Sequence, residues 1–266
     1  MISNLLLAIP PISVKSEVLF NFMGINITNA MLGMLAVDIL LIIFAIAVSK
    51  KASIIPSKLQ VLFELPFVWM RDTINSSFSN HKSANKLTPL IVSLFFVFLF
   101  ANQLSVVPII MDLTANFDGT TASLIKVPTS DFNLPIAMAL IVVVLVHIMA
   151  LITSPLKHIG SFIKIAPIFK SRSLGEFANS LLEFFLGLLD IITEFAKVIS
   201  LSARLFGNVF AGELMIVIIT YIASFTNFII PIPFIVLSVF SGLVQAMVFP
   251  LLSIQYMAGT LSNVEE

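Results

Sequence analysis

Five ionisable side chains stand in one strongly apolar stretch, Asp190-Ile-Ile-Thr-Glu194-Phe-Ala-Lys197-Val-Ile-Ser200-Leu-Ser-Ala-Arg204-Leu-Phe-Gly-Asn208-Val-Phe-Ala-Gly-Glu213. Arg204 is the most informative, because no other charge occurs from residue 198 to residue 212. A guanidinium exposed to lipid costs at least ~2.5–3.5 kcal/mol, so Arg204 must face water or a polar partner. Charges placed this way mark an ion or proton path by default. The chemistry of the groups then divides them. Arg keeps its proton under all accessible conditions. Arg204 can therefore be a fixed positive barrier or a counter-ion, and not a relay. Carboxyls can exchange protons, and burial brings that exchange nearer to neutral pH. Asp190 and Glu194 thus resemble a half-path reaching Arg204 from one side. Glu213, with Asn208 and Gln245, resembles a second half-path from the other.

Each of these residues also has a structural reading. Arg204 could pair with Glu194 or Asp190, and Glu213 and Gln245 could serve as interhelical hydrogen-bonding groups. Lys197 could pair with Glu194 at i+3 or snorkel. Glu176 and Glu183 read as solvated or interfacial. Asp38 reads as a helix-interface or helix-end residue. His147 stands alone on an apolar helix, with no second metal ligand spaced from it, and reads as a packed core side chain.

The element that must carry these groups is a helix. With about 100° per residue, Glu176, Glu183, Asp190, Glu194, Lys197, Arg204 and Asn208 share one stripe. Glu213 lies well off it and faces other surroundings. Leu174 to Ser224 contains no proline and no turn-like polar cluster. One helix of that length would be ~75 Å long, against a hydrocarbon core of ~30 Å. The sequence therefore predicts a single helix over 174–224 lying steeply oblique in the membrane. A last helix over 234–261 carries Ser238, Ser241, Gln245 and Tyr256 at helical spacing, and its polar face could meet the long helix.

Composition bounds the rest. Of 266 residues 59% are hydrophobic and 11% charged, and mean hydropathy is +1.10. Runs such as Leu90–Ala101 and Ile136–Ile152 are long and almost wholly apolar, unlike the alternating segments of a transmembrane barrel. Net charge is zero and cysteine is absent, so no nucleic-acid partner, disulfide or thiolate site is expected. No Walker-type phosphate loop is present, and no cofactor or metal is expected. Residues 1–9 lack a basic flank and make a poor signal peptide.

The reading is an all-α polytopic membrane protein in one integral domain over 1–266. It has about five membrane helices, one amphipathic interfacial helix and two long, steeply tilted C-terminal helices. Residues 1–27 form an outer arm, 28–49 span 1, 55–80 the amphipathic helix with Trp69 at interfacial depth, 88–110 span 2, and 134–154 span 3. A loop over 111–132 follows span 2, and a basic connector follows Ser154-Pro155. Pro231 and Pro233 mark a turn. Of 14 Lys and Arg, six lie from Lys50 to Lys86 and four from Lys157 to Arg172. These two segments should face the inside, which puts the N-terminus outside and the C-terminus inside.

Several stretches carry a family resemblance. Leu201-Ser-Ala-Arg204-Leu-Phe-Gly-Asn208-Val-Phe-Ala-Gly-Glu213-Leu resembles the signature of subunit a of the F-type ATP synthase, S-L-x-x-R-L-F-G-N-x-x-A-G-E. Asn102-Gln-Leu-Ser-Val-Val-Pro108, Pro128-Thr-Ser-Asp131-Phe-Asn133 and Leu243-Val-Gln245-Ala-Met-Val-Phe249 are similar to its other motifs, and the likeness covers roughly residues 14–262. The resemblance implies a stator beside a ring of c subunits and the peripheral-stalk b subunits in a lipid bilayer. It has no catalytic site of its own. It implies two offset H+ half-channels serving ring carboxylates and separated by Arg204. Asn208, Glu213 and Gln245 would belong to the outer path, and Asn102, Asp131 and Ser238 are further candidates for proton translocation. Asp190, Glu194, Lys197 and Ser200 would belong to the inner path. Asp190 stands where the family commonly has Glu. Ser238 and Ser105 stand where some bacterial members carry His and Asp, so those titratable relays are absent. H+ is favoured over Na+, because no full oxygen cage is evident. A bacterial plasma (inner) membrane is the expected location, with the mitochondrial inner membrane as the alternative. A stand-alone ion channel or secondary transporter is the competing function, although no internal repeat supports it, and a structural scaffold would have no use for Arg204.

Overall fold

The structure is a computed structural model that describes residues 16–51, 53, 56–78, 81–104, 114–117, 120–162, 174–222 and 229–265. The expected features at 1–15, at Ser105 and Pro108, at Lys164, Lys170 and Arg172, and at 223–228 lie outside these residues. The architecture is helical. Its helices are α1 (Asn29–Lys51), α2 (Lys58–Ser77), α3 (His81–Leu104), α4 (Asn133–Thr153), α5 (Pro155–Phe162), α6 (Leu174–Ile222) and α7 (Pro231–Glu265). Four of them, α1, α3, α4 and α7, contain segments long and apolar enough to cross a membrane. This is an all-α polytopic membrane protein.

The expected element order is present, with shifted ends. α3 starts at His81 rather than at 88, and α6 is described from Leu174 to Ile222, with 223 and 224 outside the described residues. α7 begins at Pro231, so the proline pair that reads as a turn occupies the helix's first turn instead. A proline fits there because its missing N–H would have no intrahelical acceptor. The basic connector contains the short helix α5. The outer arm holds an antiparallel hairpin, β1 (Val18–Phe22) with β2 (Ile25–Thr28), and the 111–132 loop holds a second, β3 (Thr114–Phe117) with β4 (Thr120–Ser123). The first hairpin turns at Met23 and Gly24, both at positive φ (51° and 86°). That is the geometry matching the twist of paired strands, and Asn21 Oδ1 accepts the Gly24 N–H at 2.9 Å.

α7 packs on α3, α6 and α4, while α6 also packs on α4 and α5. Their shared core includes Phe98, Phe249, Ile91, Leu201, Leu205, Ile254 and Met257, all buried. α2 adds Met70 and Ile74 to this core and leaves Leu62, Leu65 and Trp69 exposed beside the exposed charges Glu64, Arg71 and Asp72. One apolar face in the core and a mixed apolar and charged outer face suit a helix at a membrane interface. α1 stands at the edge, held by Val37 against Ala101 and Leu104 and by Phe44 against Phe63 at 4.4 Å between ring centroids. Asp38 is exposed on α1, not packed between helices of this chain.

Candidate functional site

α6 carries the site because its length lets one rod present groups at three depths. Glu194, Arg204 and Glu213 are spaced by ten and nine residues, which is ~15 Å and ~13 Å along the axis. The helix buries Gly187, Leu201, Ser202, Leu205 and Val209 against the bundle. The polar stripe runs along the edge of that buried face, so some members turn inward and others outward.

At one end of the site, Glu194 turns into the bundle. Its Oε1 accepts from the Lys197 ammonium, and its Oε2 lies 3.3 Å from His147 Nε2 on α4. The His147 Nδ1 is in turn 3.1 Å from His158 Nε2 on α5. The Lys197 Nζ lies over the Tyr256 ring of α7, 5.5 Å from its centroid. His147 is thus no solitary core histidine, as its surroundings in sequence suggest, but the middle of a polar chain from α6 to α5. Burial lowers the His158 pKa and the neighbouring His147 lowers it further, while Glu194 opposes them.

In the middle, Arg204 is exposed on α6 and makes no ion pair among the described residues. Its structural alternative, a pair with Glu194 or Asp190, is not formed. Glu194 is held by Lys197 and His147, and Asp190 is exposed. Around Arg204, the exposed residues of the same helical face include the small Ser200, Gly207 and Ala211. Small residues let a second helix approach the backbone closely.

At the other end, α7 supplies the partners. Asn208 Nδ2 donates to Gln245 Oε1 at 2.9 Å. Gln245 is buried, and its Nε2 has no partner among the described residues. Gly212 faces Ser238 so closely that an added Cβ would lie 2.9 Å from the Ser238 Oγ. Asn102 on α3 donates through Nδ2 to the Gly242 carbonyl at 3.1 Å, tying α3 to the same face of α7. Glu213 points elsewhere, as its helical angle requires. Its carboxyl lies beside the Ser130 hydroxyl and within electrostatic reach of Lys126. Its Oε2 is buried without a partner among the described residues, as is the nearby motif's Thr129 Oγ1. Asp131 Oδ1 accepts the N–H of Asn133, the first residue of α4, at 3.0 Å, and its charge also acts on Lys126. Burial lowers the Lys126 pKa, with Glu213, Asp131 and Glu17 opposing. The segment bearing these groups is pinned by close approach to α1, where a Cβ on Gly33 would sit 2.1 Å from the Lys126 carbonyl oxygen.

The fold therefore brings Glu194 with Lys197, Asn208 with Gln245, and Gly212 with Ser238. It leaves Asp190, Ser200 and Arg204 on the outward face. Sequence reasoning missed His158, Lys126, Ser130 and the small-residue face. The signals were present: two histidines eleven residues apart across a Ser-Pro break, a lone cation in an otherwise acidic loop, and small residues at i+3 and i+4 spacing.

The family model for the ATP synthase A chain matches residues 30–258. Among curated proteins, the chain is similar to ATP synthase subunit a of Syntrophobacter fumaroxidans, at 31% identity over 81% of this chain and 77% of the relative. The subunit a of Pseudoalteromonas translucida is 32% identical over 85% of this chain and 80% of its own length. That of Desulforamulus reducens is 28% identical over 93% of this chain and 85% of its own.

Proposed function

We propose that this chain, which belongs to the family of ATP synthase A chains, is the proton-translocating stator of the enzyme's membrane sector. Two offset half-channels pass H+ to and from carboxylates on a ring of c subunits, and Arg204 separates them. The observation that carries this reading is the position of Arg204. It stands exposed on a small-residue face, without an ion-pair partner among the described residues, between two groups of titratable and amide side chains. A buried structural arginine would have its partner within the chain. An exposed one in a membrane helix requires an acidic group or water brought by a neighbour. A ring carboxylate meets that requirement, and the small residues beside Arg204 let the ring helix come close.

The outer half-channel follows Glu213, Asn208 and Gln245, with Ser238, Asn102 and Asp131 along its wall. The orphaned oxygen of Glu213 and the orphaned amide of Gln245 support it, because buried polar atoms without protein partners are the ones that bind water or a moving proton. The inner half-channel follows Asp190, Glu194, Lys197 and Ser200. A proton entering from outside reaches a ring carboxylate, neutralises it and lets it leave the Arg204 field. After nearly a full turn the carboxylate gives its proton to the inner path and meets Arg204 again. Arg204 blocks direct leakage because it cannot lose its proton. The b subunits hold the stator against the turning ring. H+ rather than Na+ suits a path with no oxygen cage among the described residues. The bacterial relatives and the basic inner segments support a bacterial plasma membrane with the N-terminus outside. Replacing Arg204 with Ala is expected to abolish ATP-driven proton pumping in inverted membrane vesicles while the complex still assembles. Retained coupled pumping would sink the proposal.

A further inference from the structure

The stator reading assigns Glu194 to the inner path but gives His147 and His158 nothing to do. The three side chains come from three helices, α6, α4 and α5, and are linked end to end. His147 Nε2 is 3.3 Å from Glu194 Oε2, and His147 Nδ1 is 3.1 Å from His158 Nε2. The second lies within the ~2.6–3.2 Å reach of direct proton transfer, and the first is just beyond it, as such bonds often are before the transferring state forms. Lys197 occupies the other carboxyl oxygen of Glu194, so Oε2 is the one held toward His147. The cleft beside them, about 450 Å³, is otherwise walled by apolar side chains including Leu140, Val144, Phe195 and Ile199. Apolar walls offer water few of the two to four partners it needs for an ordered chain. A proton crossing this depth must then travel on side chains.

We infer that Glu194, His147 and His158 form a proton relay that carries H+ between the Arg204 face of α6 and the inner membrane surface. The inference rests on the stator reading and names the groups that complete its inner path. The step is a balanced hop. A proton arriving on the Glu194 carboxylate passes from Oε2 to His147 Nε2, while the Nδ1 proton of His147 passes to His158 Nε2. The imidazolium so formed on His158 releases its proton toward the inside, and the His147 ring resets by exchanging its tautomer. No bond other than N–H and O–H forms or breaks. His158 suits the terminal place because burial and His147 keep it neutral until the hop. The groups around the relay are Lys197 and exposed Asp190 on α6, Tyr256 on α7 and exposed Lys157 on α5. Among the described residues no cluster of three ligands is arranged for a metal ion, which leaves proton transfer as the chemistry the arrangement offers.

The test compares wild-type complex with the His147→Gln and His158→Gln variants in vesicles, measuring passive proton conduction after removal of the soluble catalytic part. Glutamine keeps a hydrogen bond and cannot carry a proton at accessible pH. Conduction is expected to fall about tenfold in each variant and no further in the double variant, as for members of one series. That loss is below the roughly 10²–10⁴-fold typical of removing a positioned proton-transfer group, because a ring carboxylate still reaches Asp190. Added imidazole is expected to restore conduction in His158→Gln, the outermost position. Unchanged conduction, a loss without imidazole rescue, or failure of both variants to assemble with the ring would each overturn the relay. Failure of the stator reading is separately visible, since it would abolish ring-dependent conduction in the wild type as well.

Discussion

Asn208 and Gln245 form a side-chain hydrogen bond between α6 and α7, and it joins two residues the sequence marks as polar in apolar helices. Removing Asn208 leaves Gln245 buried and unpaired, at a cost of about 1–3 kcal/mol. Gln245 suffers most, because its Nε2 already lacks a partner and Asn208→Leu would remove the bond to Oε1 too. Replacing both with leucine removes the orphan along with the bond. We expect Asn208→Leu to lower the thermal midpoint of the purified complex and the Asn208→Leu/Gln245→Leu double variant to regain most of it. Proton pumping should stay impaired in both, because the outer path has lost its polar wall. Recovery of pumping together with stability would make the pair mere helix glue. The type and spacing of these residues were legible in the sequence, because an amide in an apolar helix stands out. Which amide meets which was not, since it depends on how α6 and α7 rotate about their axes. Arg204 was legible for the same reason, and its lack of an internal partner was not.

Helix α5 shows what a sequence conceals about an element. Its eight residues look like part of a basic connector, and only the fold turns His158 inward from α5 onto His147, leaving Lys157, Leu156 and Ile159 exposed. The long helix α6 was easier to foresee, because nothing in nearly fifty residues could stop it, whereas α5 owes its place to the chain reversal at Ser154-Pro155. The docking of α5 should depend on pH. Burial holds the docked His158 below the ordinary histidine value of 6.5, so the undocked form takes up a proton first as pH falls. Docking is therefore fully favoured above about 6.5, is lost progressively as pH drops through the lowered value of the docked state, and then levels off. Hydrogen exchange across residues 155–162 should quicken between neutral pH and pH 5 after correction for the intrinsic rate. The His158→Gln variant should show no such change. An acid-dependent opening that persists in that variant would assign the effect to another group.

Across the whole molecule, the arrangement works only in one orientation, because the relay and the basic segments must share a side and Glu213 must open to the other. The distribution of Lys and Arg already implies this, with the 50–86 and 157–172 segments inside. The structure adds that the first hairpin and the 124–131 segment gather at the opposite end, where Lys126 N–H donates to the Asn29 carbonyl at 3.3 Å and Asn29 Oδ1 accepts from Glu17 N–H at 3.1 Å. Hairpin, α1 start and Glu213 surroundings thus gather at one end of the bundle, and the α5 group lies elsewhere, against Glu194. The chain has no cysteine, so single cysteines report this orientation without background. Met23, 90% exposed at the hairpin turn, and Ser53, exposed in the link after α1, stand on either side of one membrane helix. We expect Met23→Cys to react with a membrane-impermeant maleimide in intact cells and not in sealed inverted vesicles. Ser53→Cys should do the reverse. Labelling of both from the same side would mean that α1 does not cross, and the two half-channels would then lose their separate sides. Labelling with the sides exchanged would keep two paths but reverse which one receives protons from outside, and would place the histidine relay at the entrance rather than the exit.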